Sequence, residues 1–172
     1  MRPLFSIAWL CLGIGSAGWA ADLQGRVLRV ADGDTLTLLE GQQQHTVRLA
    51  GIDAPEKSQP FGPQAQNHLA QAVLNQTVTV VYDKRDKYGR IVGKVLVQGV
   101  DANLAQVQAG WAWHYRQYQG EQSAQDRETY SEAERLSRAA QRGLWQGNTP
   151  PEPPWDYRRR VKSERAAAGP AS

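Results

Sequence analysis

The chain is 172 residues long, enough for one domain around a single core, with 41% hydrophobic and 22% charged residues. A formal net charge of +3 and a pI near 9.2 permit a polyanionic partner without requiring one. The single cysteine, Cys11, excludes a disulfide framework.

The N-terminus reads as an export signal. Met1-Arg2 brings one positive charge, and Leu4 to Trp19 is an apolar run broken only by Ser6, Gly13, Gly15, Ser16 and Gly18. Small residues at Gly18 and Ala20 fit cleavage after Ala20 or Ala21. The run is short and glycine-broken for a membrane-spanning helix. The expected boundaries are a signal peptide at 1–20, a folded domain at 21–147 and a tail at 148–172. The mature chain would then lie in the periplasm or be secreted, with no membrane attachment and no thiol. Loss of Arg2 takes the formal charge from +3 to +2, and Arg158, Arg159, Arg160, Lys162 and Arg165 crowd the end. Attraction of a polyanion to the domain itself must therefore be local.

Within the domain, Val27 to Val30 reads as a strand leading into the Ala31-Asp32-Gly33-Asp34 turn. Thr35 to Leu39 alternates, with Leu36 and Leu38 on one face. Gly41 marks a hairpin loop, and Thr46 to Ile52 is a third strand with Val47 and Leu49 opposite Arg48. Pro55, Pro60 and Gly62 make 53–62 a loop. Pro63 opens a helix with the stripe Ala65, Leu69, Val73. Strands follow at Thr77 to Tyr82 and at Arg90 to Val97, joined by a charged connection. Asp101 caps a short helix closed by Gly110. Ser123 begins a capping box for a longer helix whose stripe is Tyr130, Ala133, Leu136 and Ala140, with Gly143 just past its end. The fold class is α+β: a five-stranded OB-type barrel, with a helix between the third and fourth strands, and three α-helices in all. Beyond Gly147, four prolines predict an extended segment over 148–157, docked by Trp155. The charged residues at 161–172 predict disorder.

Chemistry-bearing residues fall at the ends of these strands. Asp32 and Asp34 sit at one turn, and Asp53 and Glu56 at the end of the third strand. If the second and third strands are neighbours, both acidic pairs meet at one barrel end. Clustered carboxylates repel unless a cation lies among them, and oxygen donors without cysteine favour calcium or magnesium. Arg48 and Arg90 are suited to bind two phosphate oxygens each. Taken singly, each of these residues has an ordinary explanation as a turn acid or a surface ion pair.

Taken together they resemble the staphylococcal nuclease (thermonuclease) family. The matching stretches are Asp32-Gly-Asp-Thr35, Arg48-Leu-Ala-Gly-Ile-Asp53-Ala-Pro-Glu56, Phe61-Gly-Pro63, Asp86-Lys-Tyr-Gly-Arg90, then Asn103 and Gly110, spread over roughly residues 24–146. The resemblance implies a calcium-dependent endonuclease that cleaves the 5′ P–O bond of DNA and RNA, single-stranded or breathing duplex, and leaves 3′-phosphates. It implies calcium held by Asp34, Asp53 and the main-chain carbonyl of Ala54, and Glu56 beside the attacking water. It places Arg48 and Arg90 on the phosphate and Tyr88 near the 5′ phosphate. Ala54 stands where the family often has threonine, and the basic insertion before the tyrosine-rich loop is shortened.

Tyr115 is the favoured base-stacking residue, whereas Trp111 and Trp113 read as core. His45, His68 and His114 share no metal-ligand spacing and read as structural or surface. The protein is expected to be a monomer. The competing function is a non-catalytic OB-fold module that binds nucleic acid. Retention of Glu56 and both arginines favours the enzyme.

Overall fold

The alternating residues of the first half fold as strands that wrap into a barrel. In this computed structural model the described residues are 21–147, 149 and 151–168, so the signal-peptide reading of 1–20 lies outside them. Strands β1 (Ala21–Asp32), β2 (Thr35–Glu40) and β3 (Gln43–Leu49) form an antiparallel meander. Helix α1 (Gly62–Val73) follows, then β5 (Thr77–Arg85) and β6 (Ile91–Val97), with the two-residue β4 (Ile52–Asp53) before the helix. β5 pairs with β1, β6 with β5, and β6 closes the barrel by running parallel to β3, with Arg48 opposite Val92. This is the expected five-stranded OB-type barrel. A short β7 (Val100–Asp101) extends the sheet beside β6.

Side-chain period decides the inside. Leu36, Leu38, Val47 and Leu49 are buried on one face of the meander, with Val78, Val80, Ile91 and Val95 from the later strands. Ala65, Leu69 and Val73, at helical spacing, bring α1 onto this core. Helices α2 (Ala102–Gln108) and α3 (Ala124–Ala139) close the other side. Both expected N-caps are present: Asp101 accepts from the Leu104 N–H at 2.9 Å, and Ser123 from the Asp126 N–H at 3.0 Å.

Several boundaries differ from the sequence reading, each for a tertiary reason. β5 runs through the charged residues 83–85 because Lys84 and Arg85 pair with Val92 and Ile91. The inward stripe of α3 is Tyr130, Ala133, Glu134 and Ser137. Leu136 is half exposed, because Glu134 is held by Arg116 and Arg138 and the Ser137 hydroxyl accepts from the Trp145 indole. Gly143 does not end α3: Gln141 takes the left-handed conformation there, and Gly143 lies where a Cβ would fall 2.4 Å from the Gly110 carbonyl oxygen. Trp113 is buried against Leu144 and Trp145, and Trp111 is partly buried against the main core.

The largest difference is at the C-terminus, where an extended and then disordered tail was expected. Pro154–Ala167 form a helix, α4. Prolines break helices only where an N–H is needed, and at the first turn none is. Pro154 sits in that first turn with Asp156 close behind, and Trp155 packs against Trp113 with ring centroids 6.1 Å apart.

Candidate active site

The acidic residues gather because the β1–β2 turn and the end of β3 lie side by side. Asp32 Oδ1 accepts from the Asp34 N–H at 3.0 Å, a self-contained Asx turn. Gly33 lets that turn approach the helix layer: a Cβ there would fall 2.6 Å from the Ala54 Cβ and 2.7 Å from the Ala65 Cβ. The buried Gln106 side chain then donates to the Gly33 carbonyl at 2.6 Å and to the Ala65 carbonyl at 3.1 Å. Asp34 is thus fixed to α1 and α2 as well as to its own strands. Its Oδ2 accepts from the Ala54 N–H at 2.7 Å, so the two acidic stretches do meet at one barrel end.

Arg48 binds this pair of stretches together. It pairs with Thr35 across β2–β3, and its guanidinium reaches Asp34 with Nη1 and Asp53 Oδ1 with Nη2, the latter at 2.7 Å. Asp53 is fully buried, held in β4 by antiparallel pairing with β8 (Trp113–His114), where Asp53 lies opposite Trp113. Asn103, also buried, accepts from the Val95 N–H and donates to the carbonyls of Ala50 and Gly93. It ties the chain leaving β3 to β6, which gives that motif residue a structural task. Glu56 lies on the following loop, where its N–H donates to the Gln59 side chain at 3.2 Å and its carbonyl accepts from the Gln59 N–H at 2.8 Å.

Arg90 arrives from the other side through barrel closure. Asp86 organises its turn, accepting from the N–H groups of Tyr88 and Arg90 on Oδ1 and from Arg90 Nε on Oδ2 at 2.7 Å. Burial opposes ionisation of Asp86, but these donors outweigh it and hold its carboxyl below the ordinary value of 3.8. Tyr88 is largely exposed beside this turn, with Arg90 5.5 Å from its ring centroid. Asp34, Arg48, Glu56, Tyr88, Arg90 and Tyr115 all line one cleft of about 570 Å³, together with Lys84 and Lys87. Asp32 lines it too. Burial raises the Asp32 pKa, with the nearby Arg48 charge working the other way.

One residue of the site was missed. Arg158, on α4, donates from Nη2 to Asp53 Oδ2 at 2.7 Å, and from Nη1 to Asp53 Oδ1 at 3.1 Å and Glu56 Oε1 at 2.8 Å. Arg158 falls just past the segment expected to be extended, in a basic run with no apolar stripe of its own. The signal that identifies the helix is Pro154 followed by Asp156 in the first turn, but nothing local says that Arg158 alone turns inward. Tyr115 does not face the cleft freely, because Trp155 stacks on it with centroids 5.4 Å apart and planes 21° apart. The histidines are structural partners, His68 to Gln106, His45 to Glu40 and His114 to Gln122.

The donor set is made of oxygens alone, with three carboxylates within reach of two guanidinium groups. That chemistry suits a hard divalent cation such as calcium. In this arrangement no three of the acids converge on a point open to an ion among the described residues, because Arg48 bridges Asp34 to Asp53 and Arg158 bridges Asp53 to Glu56.

With this geometry in place the relatives become informative. Residues 46–147 match the sequence profile described as staphylococcal nuclease homologue. The chain belongs to the staphylococcal nuclease family. A protein of Escherichia coli named an uncharacterized endonuclease is 38% identical over 158 residues, which cover 91% of this chain and 94% of that one. A micrococcal nuclease of Shigella flexneri is 38% identical over 165 residues, 91% of each chain. An uncharacterized endonuclease of Haemophilus influenzae is 39% identical over 142 residues, 82% of this chain and 76% of its own. The family match ends at residue 147, so α4 and Arg158 lie outside it, whereas the alignment with the Escherichia coli relative covers nearly the whole of both chains.

Proposed function

We propose that this chain is an exported, calcium-dependent nuclease that hydrolyses DNA and RNA, cutting the 5′ P–O bond and leaving 3′-phosphates. The observation that supports this most is the convergence of Asp34, Arg48, Glu56 and Arg90 on one cleft from three separate stretches of chain, with the buried Asp53 held behind it by Arg48. Oxygen ligands, a partly exposed carboxylate and two arginines are the parts that hydrolysis of a phosphodiester needs.

Asp34 and Asp53, with the Ala54 carbonyl, would hold calcium, which supplies positive charge to the scissile phosphate and to the attacking water. Glu56 accepts a hydrogen bond from that water and takes or directs its proton. Arg48 and Arg90 approach the phosphate from β3 and from the β5–β6 turn. Two planar cations there stabilise the extra charge as the phosphorus becomes five-coordinate. The bond to the 5′ oxygen breaks, giving a 5′-hydroxyl and a 3′-phosphate. No step uses a 2′-hydroxyl, which supports a substrate range of both DNA and RNA. The exposed Tyr88 lies where it meets the 5′ side, and the strand must be single or locally open for the backbone to enter. The protein acts as a monomer in the periplasm or outside the cell.

The testing experiment incubates the mature protein with end-labelled single-stranded DNA and RNA, in calcium or in chelator, and determines the product ends. Calcium-dependent cleavage with 3′-phosphates is expected. No cleavage in calcium, or products with 5′-phosphates, overturns the proposal and leaves the non-catalytic binding module in its place.

The turn that carries Arg90 gives a separate prediction. Asp86→Asn removes the carboxylate that fixes Arg90, and a misplaced phosphate ligand costs about 10- to 100-fold in rate. It also lowers stability. Because the folded-state pKa of Asp86 is depressed, its contribution is full above 3.8 and is lost as pH falls through the lower folded value. The Tm difference between Asp86→Asn and wild type should be present at pH 7 and shrink below pH 3.8. A Tm difference independent of pH counts against the ion pair.

A further inference from the structure

We propose that α4 is an autoinhibitory latch, in which Arg158 takes the place of the divalent cation among the acids and Trp155 covers the stacking face of Tyr115. The inference rests on the calcium reading of the site given above, and concerns how access to that site is regulated.

Three observations carry it. Arg158 is the one residue of α4 bonded to the acidic set, and it engages both oxygens of Asp53 and one of Glu56. Those are the oxygens through which an ion and its water would be held, so guanidinium and ion compete for the same acceptors. The helix is also seated by contacts that have no place in hydrolysis. Trp155 stacks on Tyr115 and meets Trp113 edge-on, the Tyr157 hydroxyl lies 2.9 Å from that of Ser58, and the Gln59 side chain donates to the Glu152 carbonyl. Finally, the two arginines that follow Arg158 in the helix do not enter the site. Arg159 pairs with Asp156, and Arg160 with Glu152 and Glu164. The inward placement of one arginine is specific, not a consequence of a basic helix lying on an acidic surface.

The contact is reversible in character. Arg158 remains 41% exposed, as does 35% of the Glu56 side chain, so water and ions reach the pair from the open side. A ligand that binds only the open state shifts the balance by its differential affinity, and the fraction of open protein scales its apparent dissociation constant. Calcium and nucleic acid each act to displace the helix: the ion replaces the guanidinium charge, and a base replaces Trp155 on Tyr115. In calcium-poor surroundings the helix stays closed and the acids stay neutralised.

The test uses the full mature chain, as wild type, Arg158→Ala and Arg159→Ala. Calcium affinity is measured by titration calorimetry, and amide hydrogen exchange is followed across 154–167. Arg158 makes three charge-assisted hydrogen bonds at a partly exposed site, and after solvent screening their loss corresponds to about a tenfold change in the closed population. Arg158→Ala should therefore bind calcium about tenfold more tightly, and Arg159→Ala should match wild type. Saturating calcium should speed exchange across α4 in wild type. Unchanged or weaker calcium binding by Arg158→Ala overturns the latch, since Arg158 would then be supporting the acids for the ion. Calcium binding by none of the three proteins overturns the calcium reading instead. In that case metal-free exchange still decides the latch: faster exchange across α4 in Arg158→Ala supports it, and equal exchange overturns it.

Discussion

Glu56→Gln is expected to lower kcat on single-stranded DNA by about 10²- to 10⁴-fold, with KM changed by no more than a few-fold. Glutamine keeps the length and the hydrogen-bonding outline of glutamate but cannot take a proton. The backbone at Glu56 is fixed by Gln59, not by its own carboxylate. Its side chain is 35% exposed, so the substitution leaves no buried orphan group. Rate and binding should therefore separate. Steady-state kinetics with an oligonucleotide, alongside equilibrium binding in calcium, checks this. Binding that falls in step with kcat would assign Glu56 to the site's architecture and not to handling the proton. Because Glu56 also anchors Arg158, the variant loosens α4, which works toward tighter substrate binding and cannot mimic a loss of affinity.

Substitution of Arg48 has the largest expected effect, because this residue bridges two buried acids and, in the proposed function, also binds the phosphate. Its two terminal nitrogens bridge Asp34 and Asp53, one nearly and one fully buried. Removing one partner of a buried ion pair leaves uncompensated charge and costs about 3–5 kcal/mol. Arg48→Ala should thus lower Tm by about 10 °C in a domain of this size. Calcium should recover part of that loss, because a cation bound among the freed acids stabilises only the folded state. Arg48→Lys keeps one charge but not the fork. It should fold better than Arg48→Ala yet lose about 10²- to 10³-fold in kcat, since a single ammonium cannot span two phosphate oxygens. Calorimetry with and without calcium, paired with the cleavage assay, separates the two roles. Wild-type rates in Arg48→Lys would remove Arg48 from the phosphate site. An unchanged Tm in Arg48→Ala would show that the bridge contributes nothing to folding.

Much of this site was readable from local spacing. Asp34 and Asp53 stand at strand ends because Asp-Gly and Asp-Ala-Pro terminate strands, and Arg48 lies opposite Val47 and Leu49 because strand side chains alternate. The barrel, α1 and the caps of α2 and α3 followed from the same short-range rules. What failed did so where distant partners override local preference. The charged residues 83–85 carry no strand signal, yet β6 supplies their pairing. β4 and β8 are too short to show periodicity, and only their mutual pairing makes them strands. Leu136 matches the helical stripe, but the core beneath it accommodates a paired glutamate instead.

The C-terminus marks the same division most sharply. By itself the sequence determined the family, the barrel and the identity of five polar residues that gather at one end of it, because motif spacing and side-chain period are local properties of the chain. The tertiary structure alone decided that β3 runs parallel to β6, which brings Arg90 to the cleft of Arg48. It alone decided that α4 folds back so that Arg158, 105 positions beyond Asp53, closes on it. Neither contact is encoded in any short window: the first arises when distant strands pair, and the second when a buried acid meets a guanidinium that balances its charge.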